Sequence, residues 1–436
     1  IIMLTSSKKF RKILNDLKRR PEDAAKDLGV SKKRIQKILR NKTFSDTNIL
    51  EKAVKVWPVN YSDFFFTQDD TRNGYKIFRL SESNKSERIM HRGGKPYYSY
   101  KDTVMSKLSP FRPEWIKELL VVKNNKPTNT NVKFNNGHFL HQFTYFIGPV
   151  NFYYIENGKK KVAIMNTGDS MYISPYIPHS FTTRSNKENI LGSILALTYT
   201  DKIDGETVNE LSAIGHDLVK IYKINSLNKN KNFYENLKYH LNAASLPFEI
   251  LNQKLNVKIN KGKIPNIKKI NQIANYLNIN LRDLLPPIKS KPVKIKKYKE
   301  NRYWYHPSQK NKNYKFVELT NLPELPISKA YELEVLIEKN NDQFLVVPCH
   351  QYIFNIGNSK CEINLKNKYR YKANLNPGDS IYIKPNLKHN FTKKSKILVL
   401  RIGGKISGDV FYQMSMMSEK NLKRLVNDNL PWFNSK

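Results

Sequence analysis

Cysteine is nearly absent: 436 residues contain only Cys349 and Cys361. That excludes a disulfide scaffold and any multi-cysteine zinc site, and makes a reduced cytoplasm the expected compartment. No run approaches the roughly 18 apolar residues of a membrane span. The opening Ile1-Ile2-Met3-Leu4 is too short for a secretory signal core. Neither membrane nor secretory route is expected. Acidic residues are scarce, 37 against 76 Lys and Arg, leaving a formal net charge of +39. Such an excess is the footprint of a nucleic-acid binder. Here it is mostly lysine, spread beside many Asn, Ile, Tyr and Phe, a composition that A/T-rich codons also produce. Without one basic stripe, specific nucleic-acid binding is not expected. The chain does have 39% hydrophobic and 11% aromatic residues. That is too rich for disorder, and the length suits two or three domains.

The most informative feature is internal duplication. His141-Gln142-Phe143-Thr144-Tyr145-Phe146-Ile147-Gly148 returns as His350-Gln351-Tyr352-Ile353-Phe354-Asn355-Ile356-Gly357. Gly168-Asp169-Ser170-Met171-Tyr172-Ile173-Ser174-Pro175 returns as Gly378-Asp379-Ser380-Ile381-Tyr382-Ile383-Lys384-Pro385. His179-Ser180-Phe181-Thr182 returns as His389-Asn390-Phe391-Thr392. Upstream, Leu50 to Phe65 parallels Ile270 to Leu285. Order kept across these blocks implies two equivalent halves, each a helical unit leading into a strand-rich unit.

Phe10, Ile13, Leu14 and Leu17 have helical spacing. Ala24 to Ser31 reads as helix, Gly turn and Ser cap, and Ile35, Ile38 and Leu39 continue one face. Ile267, Ile270, Ile273, Ala274 and Leu277 do the same later. The basic run Lys32-Lys33-Arg34 reads as a solvated face. In the strand-rich units, Asn157-Gly158 between two apolar runs predicts a hairpin, and Gly168-Asp169-Ser170 a turn capped by Asp169. The expected fold class is α+β: a helix-turn-helix-like unit plus a small antiparallel barrel or jelly roll, in tandem duplication. Expected boundaries are 1–75 for the first helical unit, 76–205 for the first barrel, 206–290 for the second helical unit and 291–436 for the second barrel.

His138 and Gln142 are four apart, so on one strand they share a face. His179 arrives from a later strand. Two histidines at a barrel mouth suggest an open metal site of the kind that holds non-haem Fe(II). No carboxylate occupies an obvious third position, which leaves Gln142. His141 has the opposite parity and is expected to pack outside. The duplication acts as a control: His138 corresponds to Val347, while Gln142 and His179 keep Gln351 and His389. One metal-binding barrel and one degenerate barrel follow.

The stretches Asn136-Gly137-His138 to Gly148 and Gly168 to His179 resemble the two motifs of the cupin superfamily. The whole arrangement is similar to the phosphonate dioxygenases of the 2-hydroxyethylphosphonate dioxygenase and methylphosphonate synthase family. The resemblance implies Fe(II), O2 and a phosphonate substrate. In the dioxygenase branch a glutamate ligand stands six residues before the second histidine; here that position is Ile173. The synthase branch carries an aliphatic residue there and a glutamine four residues after the first histidine, the pattern of His138, Gln142, Ile173 and His179. For the phosphonate, the resemblance implies Arg92, Tyr100, Asn135 and Lys18, with Tyr172 as a further tyrosine. His179 touches both metal and substrate, and Lys18 reaches a neighbour's site in a homo-oligomer. The implied products are methylphosphonate and CO2 or bicarbonate in the synthase branch, and hydroxymethylphosphonate and formate in the dioxygenase branch. Helix-turn-helix plus cupin also describes ligand-sensing transcription regulators, and an epoxidase acting on a related phosphonate is a third possibility.

Overall fold

Ser6 accepts a hydrogen bond from the Lys9 N–H, and behind it Phe10, Ile13 and Leu14 turn inward from the helix Ser7–Asp16. The computed structural model describes residues 5–109, 111–199, 203–222, 228–256, 259, 262–286, 291–406 and 408–426. It divides into two compact units, 1–71 with 106–109 and 406–436, and 72–105 with 110–405.

In the first unit the helices Pro21–Asp27, Lys32–Arg40 and Thr47–Val56 follow. Pro21 opens one, while Ser31 and Asp46 cap the others, and Gly29 makes the turn at φ +58°. Phe10, Ala24, Ile35, Ile49, Ala53 and Phe64 have no exposed surface. Burying each large side chain contributes about 1.5–3 kcal/mol. The basic run is engaged locally: Lys32 pairs with Glu22, and Arg34 forks onto Asp46 at 2.8 and 2.7 Å.

The second unit holds all but the two-residue strands of the first. A four-stranded sheet (Lys159–Met165, Val150–Glu156, His179–Arg184, Val121–Val122) and a seven-stranded sheet enclose one core that includes Phe146, Phe152, Met171, Ile173 and Phe181. The hairpin at Asn157-Gly158 forms, both residues having positive φ. Asp169 caps its turn by accepting from Asn166 N at 2.9 Å. A three-stranded and a second seven-stranded sheet enclose a matching core around Ile353, Ile363, Ile381 and Phe391.

Between these β sandwiches come the helices Lys229–Ala243, Phe248–Leu255, Ile267–Leu277 and Leu281–Leu284, packed on Phe233, Leu237, Leu251, Ile270 and Ile273. Ile267 departs from expectation and is exposed, because it is the first residue after the Asn266 cap and precedes the packed turns.

The expected boundaries do not partition the strands. Tyr75–Phe78, at the border of 1–75 and 76–205, pairs antiparallel with Ser380–Ile383 of the second sandwich. Val293–Lys296, inside 291–436, pairs with Ser170–Ile173 of the first. Each sandwich is therefore closed by a strand from the segment leading into the other. Residues 406–436 also group with the first unit. Alternation reveals a strand but not the distant edge it covers. Among the described residues no helix is long and apolar enough to cross a membrane.

Candidate metal centre

Gly137 brings the centre together. Its φ is +75°, and a Cβ there would lie 2.6–2.8 Å from backbone atoms of Tyr176. Only glycine tolerates both the conformation and the approach. The Tyr176 N–H donates to the His138 carbonyl at 2.7 Å, which ties the segment before the strand His141–Ile147 to the turn before His179. His138 thus meets Gln142 from outside the strand, and strand parity is not what joins them.

His138 Nδ1 lies 2.9 Å from Leu140 O and must carry its proton there. His179 Nδ1 lies 2.8 Å from Ile177 O and is fixed likewise. In the tautomer with its N–H at Nδ1, each ring presents Nε2 as a lone-pair donor, the form used by metal-binding histidines. The rings stand 5.2 Å apart at 87°. His138 Nε2 faces Gln142 Oε1 at 3.1 Å. Gln142 Nε2 donates to Thr144 Oγ1 at 2.9 Å, which aims the carbonyl oxygen at the imidazole. Two acceptors opposed at this distance repel, and a cation between them converts repulsion into attraction. Burial holds His179 down at about 4, so it is a neutral ligand at ordinary pH. The chain's donor set fits a ferrous ion. Among the described residues no three His, Cys, Asp or Glu gather into a metal site.

Asn135 holds the second imidazole. Its Oδ1 accepts from His179 N at 2.8 Å and Gly137 N at 3.0 Å, and its Nδ2 lies 3.1 Å from His179 Nε2. Arg92 reaches the same segment, donating to Lys133 O at 2.9 Å, with its guanidinium over the rings of Tyr97 and Tyr98. Tyr97 accepts from Lys133 N at 3.1 Å and also meets Ser180 Oγ, next to His179, at 2.8 Å. Tyr100, pushed up to about 12 by burial and then by Glu118, has its ring 5.8 Å from that of Tyr98. Ile173 is fully buried and is the cross-strand partner of Gln142, so an apolar side chain stands next to the amide.

Two sequence-predicted positions lie elsewhere. Tyr172 has the opposite parity to Ile173; it is buried on the other face of the sheet, bonded to His141 and packed with Phe143, Leu197 and Tyr199 toward Leu322 and Leu400 of the second sandwich. Alternation one residue away from Ile173 turns it out of the site. His141 shares that outer face, as its parity implied. Lys18 belongs to the first unit, after the helix Ser7–Asp16, with φ +55°.

Sequence reasoning missed Glu118, whose carboxyl is fully buried with neither oxygen hydrogen-bonded. Burial pushes it well above the usual carboxylate range and Arg92 pulls it partly back. It also missed Thr144, Tyr97 and Tyr98. Nothing local marks Glu118; only its register opposite Tyr98 does.

Two imidazoles and an amide oxygen inside a β sandwich could hold one metal ion with coordination positions left open, the donor pattern of a mononuclear metal protein. The chain belongs to the methylphosphonate synthase family, being 45% identical over 444 residues to methylphosphonate synthase of Nitrosopumilus maritimus (strain SCM1), with 100% of this chain and 96% of that protein covered. It is also similar to the solved structure of Streptomyces albus HEPD with 2-hydroxyethylphosphonate and Fe(II) bound, at 30% identity and a TM-score of 0.91 over 98% of each chain. Native PhpD with cadmium atoms shares the fold, at 17% identity and a TM-score of 0.74 over 97% of this chain and 99% of that one. No family profile matches the chain.

Proposed function

We propose that this chain is an Fe(II)-dependent oxygenase that cleaves the carbon–carbon bond of 2-hydroxyethylphosphonate with O2, giving methylphosphonate and CO2 or bicarbonate. The observation that carries it is the opposed acceptor pair His138–Gln142, with Ile173 where a carboxylate ligand would otherwise stand. The 45% identity to a methylphosphonate synthase supports the same product. The reaction balances without an external reductant: one hydroxyethylphosphonate and one O2 contain the atoms of methylphosphonate, CO2 and water.

His138, Gln142 and His179 hold the iron, which supplies the O2 activation that side chains lack. Gln142 brings no charge, so the centre keeps one more positive charge than with a carboxylate. Arg92 supplies a fork matched to a phosphonate and Tyr100 a hydroxyl. Were His179 to hold the iron, the Asn135 amide beside it would be available to a substrate oxygen, its carbonyl fixed by two N–H groups. Ile173 keeps water and a competing ligand away from the amide. Each sandwich is read as a cupin jelly roll, each helical segment as a helix-turn-helix-like unit without a DNA role, and the setting as cytoplasmic. Lys18 is assigned to a neighbour's site in a homo-oligomer, where its ammonium adds to phosphonate neutralisation.

The test is phosphorus NMR of the iron-loaded protein with 2-hydroxyethylphosphonate and O2. Methylphosphonate is expected as the main product. Hydroxymethylphosphonate alone would overturn the synthase reading, and no turnover would overturn the substrate.

A further inference from the structure

The second sandwich has replaced a ligand and gained a cation. Gln351 lies between Ile383 and Arg401 across its neighbouring strands, as Gln142 lies between Ile173 and Thr198. Val347 stands where the first half has His138. His389 Nδ1 is fixed on Leu387 O at 2.8 Å, and Gln351 Nε2 meets His389 Nε2 at 3.3 Å. The amide has thus turned its nitrogen to the imidazole, and its Oε1 accepts from Arg401 Nε at 3.2 Å. A guanidinium serves the acceptor that in the first sandwich faces an imidazole.

Arg401 is half-buried, its guanidinium over Phe316 at 5.6 Å and Tyr331 at 5.2 Å, with Trp304 stacked on Phe316. Among the described residues only its Nε is hydrogen-bonded and no carboxylate pairs with it. The nearby titratable groups that sense its charge, His306, Tyr331, Cys349 and His389, bring no negative charge at neutral pH. A half-buried cation lacking a counter-ion is costly, and two free Nη groups form the fork that accepts two oxygens at once.

We propose that the second sandwich binds a small oxyanion of the phosphate, phosphonate or carboxylate class on the Nη edge of Arg401, within the aromatic wall of Trp304, Phe316 and Tyr331. This does not depend on the reaction assigned to the first sandwich.

The test uses the full metal-free chain carrying Arg92→Gln, which removes the guanidinium of the first sandwich. Titration with methylphosphonate, inorganic phosphate and acetate at raised salt suppresses diffuse binding to the lysine-rich surface. Saturable binding of at least one probe is expected. It should weaken about tenfold or more when Arg401→Gln is added, and less with Arg401→Lys, which keeps charge but loses the fork. The probe preferred distinguishes a phosphonate from cellular phosphate or a carboxylate. Selenate soaked into crystals of the unmutated protein should give an anomalous peak beside Arg401, whether or not the variants fold. Binding unchanged by Arg401→Gln, no saturable binding of any probe, or no peak at Arg401 would each overturn the proposal.

Discussion

The two sandwiches place the same residues on the same registers and reach opposite electrostatic solutions. Gln142 and Gln351 are both buried, and His179 and His389 both fix Nδ1 on the carbonyl two residues back. His141 and His350 both bond a tyrosine hydroxyl, of Tyr172 and Tyr382. Around the donors the halves part at His138 against Val347, at Thr198 against Arg401 and at Asn135 against Leu345, whose N–H donates to His389 O as that of Asn135 does to His179 O. In the first, the imidazoles of His138 and His179 and the amide oxygen of Gln142 converge. In the second, one donor is gone and a guanidinium occupies the amide oxygen. A scaffold can therefore keep its core and its second-histidine geometry while the charge balance at its mouth inverts. The shared features are structural, and we assign the functional difference to the unshared positions.

The largest effect expected is on iron. His138→Ala should abolish stoichiometric iron binding and turnover, whereas Gln351→Ala should leave iron content at about one per chain, read by elemental analysis. Equal loss in both variants would break the comparison. Next, Val347→His combined with Arg401→Thr should rebuild the first sandwich's donor set in the second and raise metal content toward about two per chain. A value staying near one would mean that more than these two positions separates the halves. Gly137→Ala should cost about 2 kcal/mol or more, because backbone of Tyr176 sits within the new Cβ's radius, and it should weaken iron binding along with thermal stability.

The smallest effect is acid sensitivity. Burial lowers His179, His350 and His389 from 6.5 to about 4. Folded, these rings stay neutral between those values, while unfolded they bind protons. The metal-free chain should therefore be most stable above about pH 6.5 and lose stability as pH falls toward about 4, read from urea midpoints. Two of the three rings lie in the second sandwich, so His389→Gln should flatten the profile even with iron bound to the first.

Much of this was legible in the linear pattern. Repeated blocks located both sandwiches, Asn157-Gly158 marked its hairpin, and His138 and Gln142, paired in the sequence as candidate donors, do come within 3.1 Å of each other. Other features were not legible, for physical reasons. Edge pairing is non-local, so the exchange of Tyr75–Phe78 and Val293–Lys296 has no local signature. Tyr172 and Ile173 are adjacent in sequence, yet pleating sends them to opposite faces. Glu118 looks like any strand-end acid until the fold seals it beside Tyr98.

Composition, repeats and spacing alone determined that the chain folds as helices plus sheets, and that only the first half carries a histidine where the second has Val347, because side-chain chemistry and periodicity are local properties. Tertiary structure alone decided how those donors meet: a glycine turn against Tyr176 delivers His138, an Asn peg orients His179, and Arg401 enters the matching place in the other half. These are contacts between segments far apart in the chain, whose partners are selected by packing and by the need to satisfy buried charge.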